Sequence, residues 1–248
     1  MSWLLLRGLV RERRHWGAFP DRLAAHTGRP VHTLDLPGVG TERGRASPTT
    51  IAAIVEDIRE RWLPLRTPDA RLFAPSLGGM IAMAWAEAHP DDFAGVAVCN
   101  TSASDLAGPL DRFSPAALGT VMRGLWKRGA AREAEVLALV ANTEAGRGLA
   151  EQFAGYSAEA PIGTDVLVRQ LMAATRARAP ATLRTPLLVL CSEGDRLCHP
   201  KASRALAERL GAPIRVHPDA GHDLPLDAPD WVIEQLTSWT ATGVAGNA

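Results

Sequence analysis

The stretch LFAPSLGGMIAMAWAEAHP, residues 72–90, is the most informative part of this sequence. Strand-forming residues end at Pro75, one serine follows, and two glycines then precede a run rich in Ala and Met. A serine held on a sharp strand-to-helix bend, usually within Gly-x-Ser-x-Gly, is a known setting for a nucleophile. We therefore predict a strand–turn–helix unit with Ser76 at the bend. A purely structural Ser-Leu-Gly-Gly turn is the alternative.

The neighbours of Ser76 suit such a bend. The helix passes close to the strand there, so the residues two positions before and after the serine must be small. Ala74, which replaces the usual first glycine, and Gly78 both meet this requirement, and Gly79 allows a close approach of the first helical turn. Pro75 lacks an N–H donor, which is tolerated at the end of a strand when that donor has no ladder partner.

Composition excludes several classes of function. Of the 248 residues, 46% are hydrophobic and 22% charged, which is typical of a folded globular protein. The formal net charge of zero argues against binding to nucleic acid or to an anionic membrane surface. We find no segment of membrane-spanning length, and the apolar run in MSWLLLRGL is too short for a secretory signal. The three cysteines lack metal-type spacing, so we expect reduced thiols, no metal and a cytoplasmic location.

Apolar strand-like runs alternate with helix-like segments along the chain. The strand-like runs lie at 2–8, 30–38, 70–75, 93–101, 185–195 and 212–222. Residues 49–64 carry apolar side chains at helical spacing. Nearly continuous apolar strands separated by amphipathic helices are typical of a mostly parallel sheet covered by helices on both faces. We therefore predict an α/β fold of this kind.

One long segment departs from the alternation. Between two predicted strands, it shows helical patches at 115–128, 130–143, 148–156 and 164–178 and no convincing strand. Roughly eighty residues of helical pattern exceed an ordinary crossover connection. We predict a core formed by 1–102 and 183–248, with 103–182 inserted as a helical cap.

Two further residues complete a candidate catalytic triad with Ser76. A serine hydroxyl needs a base to take its proton and a third group to orient that base. Asp195 and His222 lie in the loops after the predicted strands 187–191 and 213–217, so both fall at the carboxyl end of a parallel strand, where sites assemble. The order Ser, Asp, His also matches one known triad order. Glu193 and Asp219 are alternatives for the acid, and a turn aspartate with a surface histidine is the structural alternative.

A serine nucleophile also requires donors for the oxyanion that forms during attack. The backbone N–H of Leu77, directly after the serine, is one candidate, and the N–H of Leu9 in the loop after the first strand is the other. Backbone donors place no demand on the side chain, so leucine suits both positions.

Five motifs together resemble those of the α/β-hydrolase superfamily, over essentially the whole chain. They are RGL (7–9), DLPGVG (35–40), APSLGG (74–79), GDRLCHP (194–200) and AGHDLP (220–225). The size and helical insertion are most similar to small carboxylesterases of the pimeloyl-carrier-protein methyl esterase type. The resemblance implies a serine hydrolase that cleaves a carboxylic ester through an acyl-enzyme, without a metal or cofactor. Acyl transfer, C–C hydrolysis, a lyase reaction and a non-catalytic binding protein of this fold are the alternatives.

The sequence also departs from the pattern of that superfamily. Arg7 stands where the oxyanion loop usually has a histidine, which leaves the hydrogen bonding around the loop open. The first strand begins at residue 2, so we expect the leading antiparallel hairpin of the superfamily to be missing. This leaves about six parallel strands, with residues 30–35 at one edge.

The predicted cap offers candidates for substrate contact. Most of its apolar residues are expected to pack together, but Met122, Trp126 and Phe153 are our candidates for the pocket, and they favour an apolar acyl group. Two basic clusters are formed by Arg123, Lys127, Arg128 and Arg132 in the cap and by Arg11, Arg13 and Arg14 near the oxyanion loop. Such clusters are usually solvated faces. If both face one cleft, they would suit an acidic substrate or an acyl carrier protein.

Overall fold

A single parallel sheet forms the centre of the computed structural model, which describes residues 1–124 and 126–243. Its strands are β1 (Trp3–Leu6), β2 (Val31–Leu34), β3 (Arg71–Pro75), β4 (Gly95–Cys99), β5 (Leu187–Ser192) and β6 (Ile214–His217). Neighbouring strands are all parallel, in the order β2-β1-β3-β4-β5-β6. This confirms the predicted sheet of about six parallel strands with 30–35 at one edge. Residues 244–248 of the predicted core and residue 125 of the predicted cap lie outside the described residues.

Helices surround the sheet and fill the long connection between β4 and β5. They are α1 (Phe19–Thr27), α2 (Ile51–Trp62), α3 (Leu77–Ala88), α4 (Pro109–Arg112), α5 (Pro115–Gly124), α6 (Gly129–Val140), α7 (Glu144–Arg147), α8 (Ala150–Glu159), α9 (Thr164–Arg176), α10 (Pro200–Leu210), α11 (Leu224–Asp227) and α12 (Pro229–Gly243). We refer to α4–α9 as the cap helices. Among the described residues, no helix combines the length and the hydrophobicity needed to cross a membrane.

Alternation of side chains along the strands builds an apolar layer on each face of the sheet. Leu72 and Ala74 of β3 join the layer beneath α2, α3 and α10, whereas Phe73 points into the opposite layer. There it packs with Trp16 and Phe19, whose rings stack with centroids 5.4 Å apart. Because successive residues of a strand point to opposite faces, burial of both faces requires an almost continuous apolar strand. This explains the apolar runs of the sequence.

The cap helices have an apolar cluster of their own. It consists of Ala117, Leu137, Leu139, Val140 and Phe153. In contrast, α9 packs on the core layer beneath α2 and α3, through Val166 and Ala173. The cap helices are therefore joined to the core by α9. The division of the chain into two domains stays a prediction.

Candidate active site

Ser76 lies at the bend between β3 and α3, as the sequence predicts. Its backbone angles are φ 56° and ψ −124°, an unfavourable conformation for a residue with a side chain. Two hydrogen bonds to the end of β4 and the residues after it help to hold Ser76 there. The N–H of Ser76 donates to the carbonyl of Cys99 at 2.8 Å, and the hydroxyl of Thr101 donates to the carbonyl of Ser76 at 2.7 Å.

The bend depends on small residues around the serine. A Cβ atom added at Gly78 would lie 2.8 Å from the carbonyl oxygens of Leu6 and Arg7, a distance that real Cβ atoms essentially never show. A Cβ atom at Gly8 would lie 3.0 Å from Cβ of Ser76. The loop after β1 therefore packs directly against the serine, and this tight contact favours glycine at position 8.

Backbone strain marks the surroundings of the site. Among the described residues, positive φ values outside glycine occur at Val10 (48°), Ser76 (56°) and Asn100 (44°). Val10 and Ser76 both line one cavity, and Asn100 bonds to the loop that carries His222. Such conformations cost about 1–3 kcal/mol each and tend to occur at functional sites. The strain is therefore consistent with a functional role for this end of the sheet.

His222 and Asp195 form a buried hydrogen-bonded pair after β6 and β5. Nδ1 of His222 lies 2.7 Å from Oδ2 of Asp195. The other oxygen of Asp195, Oδ1, accepts hydrogen bonds from the backbone N–H groups of Leu197 at 2.8 Å and Cys198 at 2.9 Å. These two bonds fix the carboxylate and leave Oδ2 for the imidazole.

The alternative acids lie away from the imidazole. Glu193 forms an ion pair with Arg204 at the surface. Asp219 is exposed, and its backbone N–H donates to Nδ1 of His217 at 3.2 Å. Of the three acids considered from the sequence, Asp195 is therefore the one that the described structure places on His222.

The pKa of His222 is raised above its ordinary value of 6.5. Burial by itself would lower this pKa, but the charge of Asp195, its hydrogen bond to the ring and the charge of Asp223 outweigh burial. The surroundings therefore stabilise the imidazolium. A base that takes a proton from a serine hydroxyl needs this property.

His15 is also buried near the site, but its electrostatic setting is the opposite. Burial, together with the positive charges of Arg11 and Arg7, lowers the pKa of His15 to about 2. Its ring packs edge-on against Phe153, with ring centroids 4.6 Å apart. His15 is therefore neutral at physiological pH and serves as part of the packing beneath the cap.

Arg7 and Asp223 form a buried ion pair beside His222. Nη1 of Arg7 donates to Oδ1 of Asp223 at 3.1 Å, and Nη2 donates to Oδ2. The guanidinium also lies over the ring of Trp16, 4.7 Å from its centroid. Burial would raise the pKa of Asp223, but the charge of Arg7 holds it below its ordinary value. Arg7 therefore ties the loop after β1 to the histidine loop, at the position where the superfamily pattern has a histidine.

The two candidate oxyanion donors flank Ser76. Leu77 is the first residue of α3, and Leu9 follows Gly8, which contacts the serine. Within residues 1–124 and 126–243, neither Leu9 N–H nor Leu77 N–H donates to a backbone or side-chain acceptor. Both donors are thus available to another acceptor, and their role stays a prediction.

A cavity of about 510 Å³ opens beside Ser76, a size that suits a small-molecule ligand. We call its two sides the core wall and the cap wall. The core wall includes Gly8, Leu9, Pro75, Ser76 and His222. The cap wall includes Phe113, Arg128, Arg132, Glu133, Val136, Leu139, Ser157 and Leu167. Ser76 and His222 therefore face the same space, opposite a largely apolar surface.

The structure does not place the predicted substrate contacts of the cap at the cavity. Trp126 is 89% exposed and Met122 is 54% exposed, and neither lines the cavity. Phe153 is 2% exposed and lies inside the apolar cluster of the cap helices. Helical spacing shows which residues share a face, but the packing of α5, α6 and α8 decides which face meets the cavity.

The basic cluster of the cap is split by the structure. Arg123 and Lys127 both pair with Glu135, outside the cavity. Arg128 and Arg132 line the cavity, and neither forms an ion pair or hydrogen bond through its guanidinium with the described residues. Half of the predicted cluster therefore faces the site.

Several residues of the site escaped the sequence analysis. Asn100 donates through Nδ2 to the carbonyls of His222 at 2.9 Å and Gly221 at 3.2 Å, and thereby anchors the histidine loop. Asp227 accepts from the N–H groups of Gly221 and Asn142, both at 2.7 Å, and joins that loop to the cap helices. An asparagine directly after an apolar strand was the one available signal, because asparagine tolerates positive φ.

Comparisons with known proteins agree with this architecture. A family model described as the alpha/beta hydrolase family matches residues 3–235. Similar solved structures include a thermophilic esterase from Thermogutta terrifontis, with 22% identity, coverage of 98% of this chain and 90% of that chain, and a TM-score of 0.75. An enol-lactonase from Burkholderia xenovorans LB400 has 21% identity, with coverage of 97% of this chain and 91% of that chain, and a TM-score of 0.74. A candidate non-heme bromoperoxidase from Mycobacterium tuberculosis has 19% identity, with coverage of 98% of this chain and 92% of that chain, and a TM-score of 0.79. At these identities, the structural likeness shows a shared fold alone.

Proposed function

The chain belongs to the alpha/beta hydrolase family, and from this premise we propose that it is a serine hydrolase that cleaves carboxylic esters through an acyl-enzyme. The observation that carries the proposal is the buried 2.7 Å contact between His222 Nδ1 and Asp195 Oδ2, at the cavity that Ser76 lines. Two of the similar structures are named as an esterase and an enol-lactonase, which supports ester chemistry.

Acylation begins when Oγ of Ser76 attacks the ester carbonyl and Nε2 of His222 takes the hydroxyl proton. Asp195 keeps the proton of Nδ1 in place and stabilises the imidazolium. The N–H groups of Leu9 and Leu77 donate to the oxyanion, and the loss of one such donor typically costs about 2.7–4 kcal/mol of transition-state stabilisation. The imidazolium then protonates the leaving alcohol.

Deacylation repeats these steps with water as the nucleophile. His222 takes a proton from the water, the second tetrahedral intermediate collapses, and Ser76 recovers its proton. One water is consumed, and one alcohol and one carboxylic acid are released. The scheme requires neither a metal nor an organic cofactor. Among the described residues, no group of three or more His, Cys, Asp or Glu side chains is arranged to hold a metal ion.

The cavity suggests a substrate with an apolar acyl group and an acidic group elsewhere. Phe113, Val136 and Leu139 supply apolar surface on the cap wall. The two carboxylates that line the cavity are already paired, Glu133 with Arg11 and Asp223 with Arg7, whereas Arg128 and Arg132 have no acidic partner among the described residues. This local excess of positive charge favours an anion, although the whole chain is neutral.

A second candidate substrate is an ester that is attached to an acyl carrier protein. Carboxylesterases of the pimeloyl-carrier-protein methyl esterase type, which the sequence resembles, act on such esters. Arg128 and Arg132 are exposed at the cap wall, so they can also meet a larger acidic partner. Hydrolysis of matched esters, free in solution or attached to a carrier protein, separates the two forms. A much higher kcat/KM for the carrier-bound ester favours the carrier.

A fluorophosphonate probe tests the nucleophile. We expect one adduct in the folded protein, mapped by mass spectrometry to the peptide that contains Ser76. The Ser76→Ala variant and heat-denatured protein are expected to remain unlabelled. Failure of the folded protein to react at Ser76 would contradict the proposal and favour a non-catalytic binding protein.

Product analysis tests the reaction type. A panel of esters with graded acyl length is incubated with the protein, and the products are identified by mass spectrometry in ordinary and ¹⁸O-labelled water. Hydrolysis places one ¹⁸O atom in the released acid. An ester formed with an added alcohol would instead favour acyl transfer, and products of a broken C–C bond would favour C–C hydrolysis. Products of elimination that contain no ¹⁸O would favour a lyase reaction.

We also propose a cytoplasmic location. Cys99, Cys191 and Cys198 are free and buried. Burial is the main cause that raises the pKa of Cys191 to about 11 and that of Cys198 to about 12, so these thiols are protonated and unreactive near neutral pH. Free cysteines are typical of a reducing compartment.

A further inference from the structure

Two successive residues of the loop after β1 are bonded to two different cap helices. The N–H of Val10 donates to Oε1 of Gln170 on α9 at 2.9 Å. Nη1 of Arg11 donates to Oε2 of Glu133 on α6 at 2.8 Å. Leu9, the proposed oxyanion donor, directly precedes this pair. The loop that must direct a backbone N–H at the substrate is therefore held by the cap helices.

The backbone of this loop is strained at Val10. Its φ of 48° lies in the left-handed region, where a β-branched side chain is a genuine outlier. Such a conformation is unfavourable and persists only where surrounding contacts enforce it. The bond to Gln170 is the contact that the Val10 N–H makes, so it helps to hold the strained conformation. The N–H of Leu9 is one residue away, and relaxation at Val10 would change its direction.

Gln170 is an unusual residue for its surroundings. It is 0% exposed, and it packs in a helix that otherwise buries Val166 and Ala173 against the core. Its Nε2 is buried without an acceptor among the described residues. A buried polar group without a partner lowers the free energy of unfolding, so packing alone would favour an apolar side chain here. The hydrogen bond that Oε1 of Gln170 accepts from the N–H of Val10, in the loop after β1, offsets this cost.

We propose that Gln170 is a positioning residue that orients the oxyanion hole from the cap. Through Val10 it fixes the direction of Leu9 N–H, and it thereby couples the position of α9 to the chemistry at Ser76. Because α9 also lines the cavity through Leu167, a bound substrate contacts the same helix that orients the donor. The inference rests on the proposed serine hydrolase function, because it assigns a role within that mechanism.

The test compares Gln170→Met with Gln170→Glu. Met removes the acceptor at similar volume, and Glu keeps an acceptor at the same position. We expect Gln170→Met to lose about 10- to 100-fold in kcat, with KM changed less than about threefold, because the oxyanion exists only in the transition state. We expect Gln170→Glu to regain most of the activity. Gln152→Met, which changes an exposed glutamine of α8, is the matched control and should behave as the unmodified protein.

A transition-state analogue separates positioning from a structural role. A trifluoromethyl ketone adds to the serine and places an oxyanion in the hole, whereas the matching ether, which has no carbonyl group, does not. We expect the affinity of Gln170→Met for the ketone to fall in parallel with kcat/KM, and its affinity for the ether to stay within about twofold. Equal losses of both affinities in the folded variant, or an unchanged kcat, would overturn the inference. Failure of the proposed function is seen separately, as the absence of ester hydrolysis and of probe labelling in the unmodified protein.

Discussion

The core wall and the cap wall of the cavity are built in different ways. On the core wall, backbone geometry places the chemical groups: Ser76 at φ 56°, and Leu9 in the loop that packs against it. On the cap wall, helices present side chains, such as the apolar Leu139 and the cationic Arg132. A backbone arrangement tolerates little change, whereas side chains on helices can be exchanged. We therefore expect core-wall variants to lower kcat and cap-wall variants to change KM.

The largest effect is expected at Ser76 on the core wall, and Ser157 on the opposite wall is its control. Ser76→Ala should lower kcat by roughly 10⁴- to 10⁶-fold, because it removes the nucleophile. Ser157→Ala on the cap wall should change kcat less than about threefold, since among the described residues its hydroxyl bonds only to Glu133, at 3.3 Å. Ester hydrolysis is measured for both, with circular dichroism as the check on folding. Comparable losses in the two variants would remove the distinction between the walls.

The second test concerns Asp195, the acid that bonds to His222 of the core wall. Asp195→Asn should lower kcat by roughly 10⁴-fold, because an amide favours the wrong tautomer of His222 and does not stabilise the imidazolium. Glu193→Gln alters an exposed ion pair two residues away and is the control. We expect this variant to retain kcat within about twofold. If Glu193→Gln proved the more harmful change, Asp195 would not be the acid.

The pH dependence should reflect the raised pKa of His222. The neutral imidazole is the base, so kcat/KM should fall about tenfold per pH unit below a midpoint that lies above 6.5. Asp223 raises the pKa of His222, so Asp223→Asn should move that midpoint to lower pH in a variant that remains folded. Asp219→Asn, an exposed change in the same loop, should leave it in place. A midpoint that rises in Asp223→Asn would contradict this electrostatic account.

A smaller effect is expected from the cationic groups of the cap wall. Arg128→Gln and Arg132→Gln should each raise KM about two- to fivefold for an ester with a carboxylate group, with little change in kcat. KM for the neutral ester of equal length should not change. Arg123→Gln removes the same charge outside the cavity and is the matched control. Equal effects on acidic and neutral esters would exclude charge recognition at this wall.

The smallest effect is expected at Trp126, which the sequence analysis assigned to the pocket. The side chain is exposed and lies outside the cavity, so Trp126→Ala should leave kcat and KM within about twofold. The free energy of unfolding should change by less than about 0.5 kcal/mol, as measured by urea denaturation. A marked rise in KM would show that α5 and the residues after it turn toward the substrate.

The sequence predicted well the positions of candidate site residues that lie close to the ends of strands. Ser76 comes directly after β3, and Asp195 and His222 lie in the loops after β5 and β6. The carboxyl ends of parallel strands must share one edge of the sheet. Their proximity therefore follows from the order of strands and helices, and the structure places Asp195 and His222 in hydrogen-bond contact. The catalytic role of the three residues stays a prediction until the labelling experiment.

The sequence was a poor guide to contacts between distant segments. Arg7 and Asp223 are 216 positions apart, and their pairing depends on which loops meet above the sheet. The bond from Val10 to Gln170 spans 160 positions and depends on how α9 lies on the core. Neither pair has a local pattern that would reveal it, because both arise from the packing of whole elements.

By itself, the sequence determined the parallel sheet, the bend at Ser76 and the positions of the acid and histidine loops. These features follow from the alternation of apolar runs with helix-like segments, from the small neighbours of the serine and from the order of elements, all of which are local patterns in the sequence. Only the tertiary structure decided which cap residues meet the cavity, which acid pairs with Arg7 and which backbone N–H donates to Gln170. The reason is physical: a helix can turn any of several faces inward, and the choice minimises the free energy of the whole packed molecule.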